Sequence, residues 1–156
     1  MSKLIERARN AQVLLIEDNR GDAVLTRRAF KRAKIASDIV VAETGEQGLS
    51  ILRREGEHAD ATRPDIILLD LNLPHMHGQD FLSTVKDDPD LRRIPIIILS
   101  SSSADSDVAG CYDRHANGYI TKPISTETFD EVISRLEHYW FNLMQLPPDE
   151  PLARFS

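Results

Sequence analysis

Ile66-Ile67-Leu68-Leu69-Asp70-Leu71-Asn72-Leu73-Pro74 is the stretch that decides the architecture. Four aliphatic residues in a row, bounded by polar sequence, read as a strand buried on both faces. Asp70 closes that strand, and an ionised carboxylate there is costly unless it is paired, metal-bound or solvated. Other apolar runs end in the same way. Val13-Leu14-Leu15-Ile16 runs into Glu17-Asp18, Ile96-Ile97-Ile98-Leu99 into Ser100, and Gly118-Tyr119-Ile120-Thr121 into Lys122-Pro123. In an open parallel sheet the carboxyl ends of the strands are where ligands bind. Three acids, a hydroxyl and a lysine are therefore expected to meet in one place, a set suited to a divalent cation and a phosphoryl group.

Helical patterns alternate with these strands. The first strand is expected at about Val13–Glu17. The first helix begins near Asp22, with Leu25, Ala29 and Ala33 on one face and Phe30 beside them. Asp38–Ala42 is a second strand, and Thr44-Gly45-Glu46-Gln47 matches a capping box that opens a second helix with Leu49 and Leu52 facing inward. The third strand is Ile66–Leu69, followed by a helix from Gly78 to Asp87 with Phe81, Leu82 and Val85 apolar. Ile96–Leu99 is the fourth strand. Ser103 or Asp105 is positioned to cap a fourth helix carrying Val108, Cys111 and Tyr112. After the strand Gly118–Thr121, a last helix carries Phe129, Val132, Ile133, Leu136, Trp140 and Leu143.

Five βα units predict an α/β fold with a parallel sheet covered by helices on both faces. Right-handed crossovers favour the flavodoxin-like doubly wound order 2-1-3-4-5. Strands 1 and 3 are neighbours in that order, which sets Glu17-Asp18 beside Asp70. The domain reading is an N-terminal extension at 1–10, one domain at 11–146 and a tail at 147–156. Two segments exceed a minimal domain. The polar connection Arg53–Asp65 is expected to be a mobile surface loop, and the Pro-rich tail cannot continue a helix.

The bulk numbers narrow the function. The chain has 156 residues, 41% of them hydrophobic, and a net charge of −6. Binding of nucleic acid through a basic face is disfavoured, because nothing neutralises phosphates in bulk. No apolar run approaches the ~20 residues of a membrane span, and the N-terminus lacks the apolar region of a signal peptide. A single cysteine, Cys111, suits a reducing compartment. A cytoplasmic protein, with no nucleic-acid or membrane partner, is the expectation.

Glu17-Asp18, Asp70, Asn72, Pro74, Gly78, Ser100, Tyr119 and Lys122-Pro123, each in this order and near the end of its strand, give the chain a family resemblance. From about Ala11 to Leu143 it resembles the receiver domain of two-component response regulators, the CheY-like superfamily. The long loop before strand 3, the segment Asp90-Leu91-Arg92-Arg93-Ile94-Pro95 before strand 4, and Glu137-His138-Tyr139-Trp140-Phe141 before Leu146-Pro147 look like those of single-domain regulators of phytochrome-type histidine kinases. The resemblance implies that Asp70 accepts a phosphoryl group from a kinase histidine with Mg²⁺. Asp18 and Asp70 would ligate the ion directly, Asn72 through its backbone carbonyl and Glu17 through water. It implies that Lys122 pairs with a carboxylate at rest and with a phosphoryl oxygen afterwards, and that the Lys122–Pro123 bond is cis. Ser100 and Tyr119 would be the switch pair, altering the surface of helix 4, strand 5 and helix 5. Ser100 stands where many receivers carry threonine, and Glu17 where an aspartate is common. Asn72 and Ser102 flank the expected path of attacking water. The implied partners are a cognate histidine kinase of phytochrome type, a phosphotransfer protein, an effector or a second copy, with a homodimer through the helix 4–strand 5–helix 5 face and the C-terminal region favoured.

Blander readings stand beside these. An acidic pair after a strand is often a helix cap, Lys-Pro often a loop start, and Ser100-Ser101-Ser102-Ser103 a polar loop. His75-Met76-His77 lacks a third ligand nearby and reads as a variable loop, not a metal site. Enzyme readings fare worse. A phosphohydrolase of the haloacid dehalogenase type needs an acid two residues after the nucleophile, where Asn72 stands. A flavodoxin-like cofactor binder needs a phosphate loop after strand 1, where Glu17-Asp18 repels phosphate. A degenerate receiver acting only by binding is disfavoured by the complete set of acids, lysine and hydroxyl. The expectation is a regulator rather than an enzyme, with the stretch after Leu143 too short for an output domain.

Overall fold

The computed structural model describes residues 10–33, 36–122 and 126–139. Five parallel strands, β1 (Ala11–Ile16), β2 (Ser37–Ala42), β3 (Ile66–Leu69), β4 (Ile96–Ser100) and β5 (Gly118–Thr121), lie in the order β2-β1-β3-β4-β5. Between and after them run α1 (Arg20–Arg32), α2 (Gly45–Leu52), α3 (Gly78–Asp87), α4 (Asp105–Asp113) and α5 (Thr126–Glu137). This is the expected flavodoxin-like doubly wound arrangement. The register pairs Ile16 with Leu69, so the chain leaves β1 and β3 at the same level and delivers Glu17 next to Asp70. A backbone bond from the Asp70 N–H to the Ile16 carbonyl, 3.0 Å, continues that ladder into the site.

Alternation along the strands divides the core into two layers. Leu14, Ile16, Ile67, Leu69, Ile96 and Ile98 face Leu49, Phe81, Leu82, Val85 and Cys111 from α2, α3 and α4. Val13, Leu15, Ile66, Leu68, Ile97 and Leu99 face Ala29, Phe30, Phe129 and Ile133 from α1 and α5. All four residues of β3 are buried, as a strand sandwiched between helix layers must be.

Local chemistry sets several boundaries. α1 starts two residues earlier than the apolar pattern suggested, because the Asn19 side chain caps it by accepting from the Asp22 N–H. Ala23 and Thr26 are buried on its inner face, while Leu25 is only half-buried. Thr44 caps α2 by accepting from the Gln47 N–H, and Gln47 reaches back to the Glu43 N–H. The box therefore closes one residue further out than the standard pairing. α3 spans Gly78–Asp87 as read from sequence, with Phe81, Leu82 and Val85 fully buried.

The expected cap of α4 is corrected. Neither Ser103 nor Asp105 serves; Ala104 occupies that position with no side-chain bond. The capping capacity is spent nearby, where Ser102 Oγ accepts from the Ala104 N–H and donates to Asp107 Oδ2 at 2.6 Å. The connection 53–65 is a surface segment, but it is shaped: a 3-10 turn at Gly56–His58, Ala61 against the core, and Arg63 bonded to the Asp90 carbonyl. The Lys122–Pro123 bond, Trp140, Leu143 and the tail lie outside the described residues.

Candidate functional site

The carboxyl ends of β1, β3, β4 and β5 converge. Glu17, Asp18 and Asp70 each place a carboxylate oxygen within 4.8 Å of the others. Glu17 is 2% exposed and Asp70 7%, whereas Asp18 faces solvent. Lys122, leaving β5, reaches across to donate to Glu17 Oε1 at 2.6 Å, Asp22 Oδ2 at 2.8 Å and Asp70 Oδ2 at 3.1 Å. The other Asp70 oxygen accepts from the Asn72 N–H at 3.0 Å, which fixes the carboxylate from its backbone side.

The electrostatics follow from crowding acids in a sheltered place. Burial, then a hydrogen bond to the Asp70 carboxyl, pushes the Glu17 carboxyl up to about 8, against the pull of Lys122. Burial works to lower the Lys122 ammonium, but its bonds to Asp22 and Glu17 and the charges of Glu17 and Asp70 outweigh it and hold it above the ordinary lysine range. One ammonium thus balances several acids, and a positive charge added among them is favoured. Oxygen donors from three carboxylates, two of them buried, are the ligand type that hard divalent cations take. The donor set therefore fits such an ion.

Ser100 ends β4 fully buried, its hydroxyl accepting from the Ser102 N–H at 3.2 Å. The Lys122 N–H bonds to the Ser100 carbonyl at 2.7 Å, so the serine and lysine backbones are joined. Tyr119 is half-buried against the core, and its hydroxyl donates to the Ser102 carbonyl at 2.8 Å. A cleft of ≈ 300 Å³ opens beside these groups, lined by Asn72, His77, Asp80, Ser100, Ser102 and Asp107. Asn72 and Ser102 share this cleft, but His75-Met76-His77 joins no metal-binding group among the described residues. His75 instead turns the loop at a φ of +67°, and Met76 packs against Gly45.

All seven residues singled out from sequence, Glu17, Asp18, Asp70, Asn72, Ser100, Tyr119 and Lys122, lie at this one end of the sheet. Asp22 was missed as part of it. Its position in the first turn of a helix gave it a sufficient local explanation; only the reach of Lys122 draws it in.

A (βα)₅ sheet ending in this acid–lysine–hydroxyl set defines a phosphoacceptor-type receiver. Residues 13–134 match the family model of the response regulator receiver domain, and the chain belongs to that family. It is 33% identical over 135 residues to response regulator Rcp1 of Synechocystis sp., covering 86% of this chain and 92% of that one. The crystal structure of the phosphorylated cyanobacterial phytochrome response regulator RcpA superposes with a TM-score of 0.86 at 37% identity, covering 90% of this chain and all of the other. The Mn²⁺-bound form of Rcp1 gives 0.82 at 33% identity, covering 88% and 99%.

Proposed function

We propose that Asp70 is the phosphoacceptor of a phytochrome-type two-component relay and that Mg²⁺ is the ion its acids take. The observation that carries this reading is the single cluster of Glu17, Asp18 and Asp70 with Lys122 laid across it. Family membership and the metal-bound form of a relative support it. Asp18 and Asp70 would ligate directly, Glu17 through water, and Asn72 through the carbonyl of a backbone already bonded to Asp70. The ion supplies neutralisation of the repulsion between a carboxylate nucleophile and an anionic phosphoryl group.

The chain's own groups do the rest. The Asn72 N–H holds the Asp70 carboxylate in one orientation. An Asp70 oxygen attacks the phosphorus of a kinase phosphohistidine; the O–P bond forms, the P–N bond breaks, and the electron pair leaves with the imidazole, which takes up a proton. Lys122 then transfers its ammonium from the carboxylates to a phosphoryl oxygen. The Ser100 hydroxyl turns to donate to that group. Its loop contains Ser102, whose carbonyl holds the Tyr119 hydroxyl, so motion at Ser100 is conveyed to the face of α4, β5 and α5. Self-association through that face, and contact with a kinase, a phosphotransfer protein or an effector, carry the signal. Phosphate uptake from a cognate kinase tests the assignment: Asp70→Asn should incorporate none, and full stoichiometry in that variant overturns it.

A further inference from the structure

Lys122 has three N–H bonds and three carboxylate partners, and only two of those partners belong to the cluster that receives a cation. The third, Asp22, lies on the first turn of α1, with its own N–H held by the Asn19 side chain and its carboxylate 37% exposed. The Lys122 side chain is 12% exposed, so an ammonium that loses its partners here is not fully compensated by water. Resting on the phosphoacceptor reading above, we propose that Asp22 is a positioning residue, a seat for the Lys122 ammonium outside the cation-binding acids.

Two consequences follow, of opposite sign. For a dication to be taken up, Glu17 and Asp70 must release the ammonium, which otherwise competes with the ion and repels it. Asp22 lets Lys122 keep one charge-assisted bond while those acids turn away. For a phosphoryl group to recruit Lys122, the ammonium must leave Asp22 as well, so the same bond opposes the switched state. Asp22 thus favours the resting, metal-loaded site at the expense of the phosphorylated one. The relation is a competition for one cation among fixed anions, and it needs no movement of α1.

Asp22→Asn keeps the side-chain shape and the N–H that Asn19 caps. Two titrations test it: Mg²⁺ alone by calorimetry, and beryllofluoride, a phosphoryl mimic, at saturating Mg²⁺ by fluorine NMR. The variant should bind Mg²⁺ about 2- to 5-fold more weakly, the range one partly exposed charge contact gives. It should bind beryllofluoride tighter by a similar factor. Both changes should disappear when Asp22→Asn is made in a Lys122→Met background, because the seat then has no occupant. Unchanged affinities, or a parallel loss of both, reduce Asp22 to a structural residue and overturn the proposal. Effects that persist undiminished without Lys122 also overturn it, since Asp22 would then act by its own charge. Failure of the unsubstituted protein to bind either probe removes the phosphoacceptor reading itself, and this proposal with it.

Discussion

Substituting Gly78 by alanine sets two effects of known size against each other. The glycine opens α3, where its backbone lies against the residues that follow β3. Its φ lies outside the left-handed region, so an L-residue is allowed by conformation alone. Helix propensity then favours alanine by at most the ~1 kcal/mol of a helix interior, since Gly78 is the first helical residue. Space argues the other way. The added methyl carbon would stand 2.6 Å from Leu71 Cα, 2.7 Å from the Asp70 carbonyl oxygen and 3.1 Å from that of Leu71. Carbon atoms pack at about 3.5–4.0 Å, so the backbone must retreat by roughly 1 Å. Overpacking costs ~1–3 kcal/mol, and the upper end applies because every obstacle is main chain. The net is a loss of about 2 kcal/mol, which in a chain of this size lowers Tm by roughly 4–8 °C. Calorimetric melts of the two proteins decide the matter. A Tm equal to or above that of the parent would show that propensity wins and that the tight approach of α3 to Asp70 is not a constraint.

Lys86 donates to the carbonyls of Arg92 and Ile94 and to Asn117 Oδ1, tying the connection before β4 to the start of β5. Lys86→Met removes the ammonium donor from both carbonyls and leaves Asn117 Oδ1 with the Ile96 N–H alone, and should cost about 2–3 kcal/mol in urea unfolding. Burial pushes the Lys86 amine down to about 8 from 10.5, so between those pH values the unfolded chain holds more protons and unfolding free energy rises with pH. The penalty of burying the charge is present in full below pH 8 and is relieved as pH approaches 10.5. The stability difference between parent and Lys86→Met should therefore widen across that window; narrowing contradicts the burial argument. Mg²⁺ at about 100-fold its Kd should stabilise the folded chain by ~2.7 kcal/mol in thermal melts, and Asp18→Asn should remove most of that gain while leaving the metal-free Tm within about 2 °C. Tyr119→Phe deletes the bond to the Ser102 carbonyl and should cost ~1 kcal/mol while weakening the response of α4 and β5 amide shifts to beryllofluoride; an undiminished response separates Tyr119 from the switch.

The strands were legible because each is a short aliphatic run cut off by a polar residue. β3 and β5 matched to the residue, and β1 and β4 were off by only one or two positions at an end. The parallel order followed from the alternation with helices, and with it the meeting of Glu17, Asp18 and Asp70. Helix starts were harder. Asn19 could not be weighed as a cap because Asp18 and Asp22 are equally good candidates in sequence, and the choice is made by where β1 stops. At α4 the sequence offered Ser103 and Asp105 as caps, and the structure uses neither: Ala104 takes the position, with Ser102 bonded to Asp107 beside it. Long-range pairings left no local trace. Lys122 and Asp22 are 100 positions apart, and Lys86 and Asn117 are 31 apart. A long side chain selects such partners by reach, after the fold has set the distance.

Borohydride reduction of the acyl phosphate is the most direct test of the assignment. After phosphoryl transfer in Mg²⁺, an aspartyl phosphate is converted to the corresponding alcohol, and peptide mass mapping reads which residue carried it. The site built by Glu17, Asp18 and Lys122 predicts that the reduced residue is Asp70, and that Asp70→Asn yields none. A reduced residue elsewhere, or an unmodified Asp70 in fully phosphorylated protein, would contradict the account.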